Sequence, residues 1–208
     1  MILWSIEAAQ QAGCFDSIIV STDDPAIAEV AQAAGAEVPF MRPAALSDDH
    51  ATTLAVVQHA LKWCAGQGAL PETLCCLYAT APFVRADDLR AGKTLLEQAE
   101  FAIPVTSFGF PIQRAVRIVN DRLQMFDPRH LSTRSQDLEE AFHDAGQFYW
   151  GQSAAWLGDP VLFGPTTVPL ILPRWRVQDI DTPEDWGRAE LLHRILSLED
   201  GSVFLPDH

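Results

Sequence analysis

Asp179 and Asp181 stand as Asp-Ile-Asp after the apolar, β-branched run of residues 168–177, and residues two apart on an extended chain point to the same side. Two carboxylates so placed make a site for a divalent cation of the magnesium type. Such an ion takes oxygen ligands, keeps several waters and commonly uses one or two protein carboxylates together with substrate phosphates. The stretch Asp181-Thr182-Pro183-Glu184 also has a purely structural reading, as a helix N-cap followed by proline in the first turn. That reading employs Asp181 and leaves Asp179 without a task. On sequence alone the two readings stand side by side.

The elements that would position these acids follow from the hydrophobic pattern. Ile2, Leu3, Ile6 and Ala9 share a helical face that Gly13 terminates, and Ser17-Ile18-Ile19-Val20-Ser21 then reads as a buried strand. Asp24 caps a helix opened by Pro25 and ended at Gly35, and a short extended segment, Ala36-Glu37-Val38-Pro39-Phe40, follows. Residues 52–63 are helical, 74–78 a continuous apolar strand, 85–98 a helix and 101–105 a strand. This alternation predicts an α/β fold, a mostly parallel sheet with helices on both faces. Residues 106–156 break the alternation and read as an excursion carrying substrate contacts, oligomer contacts or both. Residues 183–198 read as a closing helix with Trp186, Leu191, Leu192 and Ile195 inward, giving one domain over 1–198 and a flexible tail over 199–208.

In open α/β sheets ligands bind beyond the carboxyl ends of the strands. Ser21-Thr22-Asp23-Asp24, Ala79-Thr80-Ala81-Pro82-Phe83 and the Asp179/Asp181 pair all occupy such ends. Each is ordinary turn or cap chemistry taken singly, and for Asp24 capping is the favoured reading. Their convergence on one edge is harder to explain structurally.

Charge and composition narrow the classes. The 208 residues are 48% hydrophobic and carry a formal net charge of -14, enough for one core and contrary to the cationic footprint that nucleic acid or an anionic membrane surface demands. No apolar run reaches the ~20 residues needed to cross a bilayer, and the first residues lack the pattern of a secretory signal. A cytoplasmic protein is expected. Cys14, Cys64, Cys75 and Cys76 form no Cys-x-x-Cys pair and read as reduced packing thiols.

The chain resembles the cytidylyltransferases that activate nine- and eight-carbon acidic sugars as CMP conjugates. The resemblance runs in order through Trp4-Ser5-Ile6-Glu7-Ala8-Ala9, Val20-Ser21-Thr22-Asp23-Asp24, Gly35-Ala36-Glu37-Val38-Pro39-Phe40, Arg42-Pro43, Leu46-Ser47-Asp48-Asp49, Tyr78-Ala79-Thr80-Ala81-Pro82-Phe83 and Asp179-Ile180-Asp181-Thr182. Within that family, His143-Asp144-Ala145-Gly146-Gln147-Phe148-Tyr149-Trp150 and Phe108-Gly109-Phe110-Pro111-Ile112-Gln113-Arg114-Ala115 look most like the branch acting on pseudaminic acid. Thr80-Ala81-Pro82-Phe83, where sialic acid enzymes usually have Thr-Ser-Pro-Leu, points the same way.

The resemblance implies a nucleotide-diphosphosugar-transferase-like (Rossmann-like) fold, a homodimer and a Mg²⁺-dependent reaction of CTP with a nonulosonic acid. It implies that Asp179 and Asp181 hold the metal, with Asp181 near the attacking anomeric hydroxyl. Asp23, Arg42, Ala79 and Thr80 would meet the nucleotide. Gln147, Phe148 and Tyr149 would shape the sugar site, with Arg114 and Arg134 as partners for the sugar carboxylate. Quieter readings accompany these: Trp150 as core, Arg114 and Arg134 as surface ion pairs, His143 as a structural hydrogen bonder, and Cys75 and Cys76 as packing.

The chain departs from the family in one respect. Members begin with an apolar strand and a basic glycine-containing loop that wraps the phosphates, and Met1 falls just after the place where that loop ends. The expectation is either a start lying upstream or a truncated form unable to turn over. A cytidylyltransferase for sialic or legionaminic acid, an inactive sugar- or nucleotide-binding dimer, and a generic α/β binding domain remain as alternatives.

Overall fold

The computed structural model describes residues 1–48 and 50–199, with side chains described to residue 196. The expectation of a flexible tail at 199–208 lies, beyond Glu199, outside the described residues. Helix α1 (Ile2–Ala12) ends where Gly13 takes a left-handed conformation, φ 60°, and α2 (Pro25–Ala33) starts with the Asp24 side chain accepting from the Ala26 amide. Thr52 caps α3 (Thr53–Gly66) by accepting from the Ala55 amide. Gly13 and Asp24 are the stop and cap that the sequence predicts, and the Thr52 cap adds to the helical reading of residues 52–63.

The central sheet is built from β1 (Thr73–Leu77), β2 (Phe101–Ser107), β5 (Phe142–Asp144), β6 (Phe148–Gln152) and β7 (Thr167–Ile171). Helix α4 (Ala86–Leu95) joins β1 to β2, and α5 (Ser153–Leu157) follows β6. The α/β class holds, whereas the parallel pairing does not. Strands β1, β2 and β7 run the same way, but β6 inserts antiparallel between β1 and β2, and only β2 with β7 is a parallel neighbour pair among these strands. The reason is that residues 142–152, assigned by sequence to the excursion, re-enter the sheet at its centre. The segments around Ile19 and Thr22 make single parallel bridges to Glu37 and Met41 rather than a full strand.

Strand β6 shows why it belongs there. Phe148 and Trp150 face α1 and α4 with Ala8, Ala9 and Leu89, while Tyr149 faces α3 and α5 with Val57, Leu61 and Trp156. Successive side chains thus fill two cores on opposite faces. Gly92 in α4 permits the close approach: a Cβ there would lie 2.7 Å from Trp150 Cδ1. The indole N–H of Trp150 donates to the Leu89 carbonyl at 2.9 Å, which accounts for its core role.

Strands β5 and β6 lie end to end along β2 with a bulge between them. From the Asp144–Val105 pair to the Trp150–Ala102 pair, six residues on this strand span what three span on β2. Pro104 sits opposite, accepting from the Ala145 amide at 3.0 Å, so its missing donor falls where the ladder is broken.

Residues 108–141 stand off the sheet. They include the hairpin β3 (Val116–Val119) and β4 (Arg122–Met125), turned through Asn120 and Asp121, both at positive φ, as a tight two-residue hairpin requires. Ile118 and Leu123 on it are 74% and 75% exposed.

Helix α6 (Pro183–Glu199) corrects another expectation. Trp186, Leu191 and Ile195 are exposed. Leu192 is inward as expected, in a stripe with Asp185, Ala189 and Leu196 at the i, i+4, i+7, i+11 positions of one helical face, and Trp4 stacks on His193 from α1.

Candidate active site

The run of residues 168–177 is not one strand. β7 stops at Ile171, a 3-10 turn occupies Arg174–Arg176, and Asp179 and Asp181 lie on the irregular link before α6. Pro173 breaks the run, because it cannot donate to a ladder. The pair therefore comes together on a loop.

The capping question resolves against Asp181. Thr182 caps α6: its hydroxyl accepts from the Asp185 amide at 3.3 Å, while Asp185 Oδ2 accepts from the Thr182 amide at 2.9 Å and hydroxyl at 2.7 Å. This is a reciprocal capping box with Asp in the third position, and these bonds hold the Asp185 carboxyl below its usual range. Among the described residues the Asp181 carboxylate makes no hydrogen bond or ion pair. Its structural task is gone.

Asp179 accepts from the Ile180 amide at 3.0 Å and lies against the bulge, where a Cβ added to Gly146 (φ +62°) would sit 3.3 Å from Asp179 Oδ2. Partial burial first, then the charges of Asp181, Asp144 and Asp185, push its carboxyl above the ordinary carboxylate range. Crowded carboxylates of this kind are relieved by a cation. Among the described residues no group of three or more His, Cys, Asp or Glu is arranged to hold a metal. A pair of hard oxygen donors facing open space fits an ion that keeps waters and phosphate oxygens as its other ligands.

Asp144, at the start of the bulge, accepts from the Gly146 amide at 2.9 Å and from the Tyr149 hydroxyl. Gln147 is buried, with 2% of its surface exposed. Its Nε2 donates to the Arg176 carbonyl at 3.0 Å, and its Oε1 is buried with no partner among the described residues. Arg176 in turn pairs with Asp88 at 2.6 Å. Phe148 is fully buried in the α1/α4 core, so the expectation that it walls the sugar site is corrected: its side chain alternates away from Tyr149. Tyr149 is buried too, ring edge against Tyr78, with only its hydroxyl directed to Asp144.

Asp23 and Arg42 are brought together. Their side chains pair at 3.1 Å, Arg42 Nε donates to the Ser47 hydroxyl at 3.1 Å, and the Arg42 amide bonds the Thr22 carbonyl at 2.8 Å. Ala79 and Thr80 form the turn after β1. A cleft of about 1020 Å³ opens between residues 18–21 and β1, with α1 on one face and α3 on the other, and Arg42, Tyr78 and Ala79 line it. All four cysteines line it as free thiols. Burial pushes Cys75 up strongly and Cys76 up to about 12, which suits packing and not nucleophilic chemistry.

Arg114 and Arg134 lie on the excursion, Arg114 in the 3-10 turn Ile112–Arg114 and Arg134 just before the turn Ser135–Asp137. Arg134 is held by Asp137 at 2.7 and 2.9 Å, and Arg114 reaches the Ser135 hydroxyl at 3.4 Å. His143 accepts the structural role, its Nδ1 2.7 Å from the Asp144 carbonyl and its ring edge on Phe108. Sequence reasoning missed Asp144 and Arg176; the glycine two residues after Asp144 was the available signal for the first, and nothing local marks the second. Among the described residues no helix is long and apolar enough to cross a membrane.

Residues 1–157 match the family described as cytidylyltransferase. The chain is 43% identical over 198 residues to the pseudaminic acid cytidylyltransferase of Campylobacter jejuni subsp. jejuni serotype O:2, covering 94% of this chain and 85% of that protein. It is 29% identical over 208 residues to the CMP-N,N'-diacetyllegionaminic acid synthase of the same organism, covering 95% and 86%. Among solved structures, CMP:2-keto-3-deoxy-manno-octonic acid synthetase complexed with CTP superposes with a TM-score of 0.64 at 16% identity, covering 93% and 88%. At that identity the likeness concerns the fold.

Proposed function

The chain belongs to the cytidylyltransferase family and is a nucleotidyltransferase, and on that premise we propose that it transfers CMP from CTP to the anomeric hydroxyl of pseudaminic acid, releasing pyrophosphate. The observation that carries the chemistry is the Asp181 carboxylate, relieved of capping by Thr182 and set beside Asp179 at the Gly146 bulge. The 43% identity to the Campylobacter jejuni enzyme supports the choice of sugar.

Displacement at the α-phosphorus asks the protein to align nucleophile and leaving group and to stabilise charge. Asp179 and Asp181 would hold Mg²⁺, which when bound would neutralise charge on the phosphates. Asp181 faces the sugar hydroxyl and orients it toward phosphorus. Arg42, steadied by Asp23 and Ser47, meets the nucleotide at the cleft, and Ala79 and Thr80 border the cytosine. Gln147, buried and held through Nε2 by the Arg176 carbonyl, shapes the sugar side of the site from within the fold, and Arg114 and Arg134 on the excursion are the groups offered to the sugar carboxylate. The exposed apolar hairpin residues Ile118 and Leu123 supply the homodimer contact, since apolar surface of this kind marks an interaction site. Four free thiols accord with a reducing cytoplasm.

The test is pyrophosphate release from CTP, Mg²⁺ and pseudaminic, sialic or legionaminic acid, measured on this chain and on a form carrying a basic, glycine-containing loop ahead of Met1. Pseudaminic acid is expected to be the best substrate. Asp181→Ala should lower turnover on the order of 10³-fold, as loss of a charge-stabilising group does, with unfolding unchanged. Retained Mg²⁺-dependent turnover in Asp181→Ala would defeat the assignment, and preference for another acid would move the substrate to that sugar.

A further inference from the structure

Asp144 lies outside the Asp-Ile-Asp pair, yet both its oxygens are engaged at the point where the pair meets the sheet. Oδ1 accepts from the Gly146 amide two residues on, and Oδ2 accepts from the Tyr149 hydroxyl five residues on. The two bonds straddle the bulge, one at its apex and one where β6 has resumed, and so close it as a loop.

Three features depend on the bulge keeping its shape. Gly146 must hold φ +62°, and it presents no Cβ to the Asp179 carboxylate that lies against it. Gln147 must turn inward for Nε2 to reach the Arg176 carbonyl. The Ala145 amide must reach Pro104, the one residue of β2 with no amide to return. A bulge has lost its ladder bonds and needs other partners to specify it. Here a carboxylate accepting from both an amide and a buried hydroxyl does so, and charged acceptors make the stronger bonds.

We infer that Asp144 is a positioning residue for the cation pair: through Gly146 and Tyr149 it fixes the bulge against which Asp179 is seated. It touches neither substrate nor cation. This rests on the reading of Asp179 and Asp181 as cation ligands, and the latch has a readout of its own.

The experiment uses the 208-residue chain with Asp144→Asn, Tyr149→Phe and Asp179→Asn. The latch is read by hydrogen exchange at the Gly146 and Ala145 amides, and the pair by Mn²⁺ binding followed through water proton relaxation. Asp144→Asn and Tyr149→Phe should both speed exchange at Gly146 and both weaken Mn²⁺ binding by about 10- to 100-fold, the usual cost of losing an outer-shell support. Tyr149→Phe keeps every charge, so its effect separates position from electrostatics. Weakening by Asp144→Asn alone would overturn the proposal in favour of a charge effect. Unchanged exchange in both variants would overturn the latch whatever the metal does. Equal Mn²⁺ binding by the chain and Asp179→Asn would instead defeat the cation-pair reading.

Discussion

Two ion pairs mark two halves of the proposed ligand surface, and they are built in opposite ways. Asp88 and Arg176 are 88 residues apart, retain 12% and 11% of their side-chain exposure, and pair at 2.6 Å with a second bond at 3.2 Å. Arg134 and Asp137 are three residues apart, at 70% and 45% exposure, and pair at 2.7 Å. The distances are alike and the energetics are not. A desolvated pair cannot lose one member cheaply, whereas a surface pair in water is close to neutral. The acidic side of the site is therefore held by the fold, through Arg176, Gln147 and the bulge. The arginine side is held by its own sequence neighbours, as are Arg129 with Asp127 at 2.6 Å and the hairpin across its turn. One half is organised before any ligand arrives, and the other offers groups that a ligand or second subunit can engage.

The largest expected effect comes from breaking the buried pair. Arg176→Met strands the Asp88 carboxylate and should cost about 3–5 kcal/mol of stability, read as a fall in the denaturant midpoint. The double change Asp88→Leu with Arg176→Met should recover most of that loss, because an apolar pair of similar size replaces the ions. A double variant as unstable as the single one would mean that the pair acts through something other than stranded charge. Next in size is Gly92→Ala, where the added methyl meets Trp150 at 2.7 Å and Phe148 at 2.9 Å. Overpacking should cost about 1–3 kcal/mol, and a neutral result would show that β6 can shift away from α4.

The sequence made the helices legible because their signals are local: Gly13, Asp24 with Pro25, and Thr52 do what cap chemistry says. It misplaced β6 because Phe148, Tyr149 and Trp150 are apolar on both faces, and such a run looks the same in a central strand and in a loop wall. Direction of pairing is a non-local property that no residue in the run encodes. The Asp179/Asp181 pair was legible, since two acids two apart are conspicuous. Its surroundings were not, because the capping role moves by one residue to Thr182 and the bulge at Gly146 exists only in relation to β2. Arg176 stayed hidden because its partner lies across the fold. Of the α6 residues expected inward only Leu192 is so, because Ala189 takes the close contact and leaves Trp186, Leu191 and Ile195 outside.

The smallest expected effect sharpens the contrast most. Arg134→Ala removes a guanidinium that makes two good bonds to Asp137, yet both partners are open to water, and water replaces what is lost. The stability change should stay within about 0.5 kcal/mol, as for most exposed pairs, with the slope of the denaturant transition unchanged. If Arg134 meets the sugar carboxylate, the same substitution should raise KM for the acidic sugar by roughly tenfold or more, the loss of one bond to a charged group, and leave KM for CTP alone. A neutral stability change with a raised sugar KM is what a locally held, ligand-directed arginine produces. A stability loss comparable to that of Arg176→Met would join the excursion to the body of the fold and erase the difference between the two halves. Unchanged stability with unchanged KM would leave Arg134 as a solvated surface pair and pass the carboxylate to Arg114, whose guanidinium makes, among the described residues, one hydrogen bond, to Ser135, long at 3.4 Å and more easily given up.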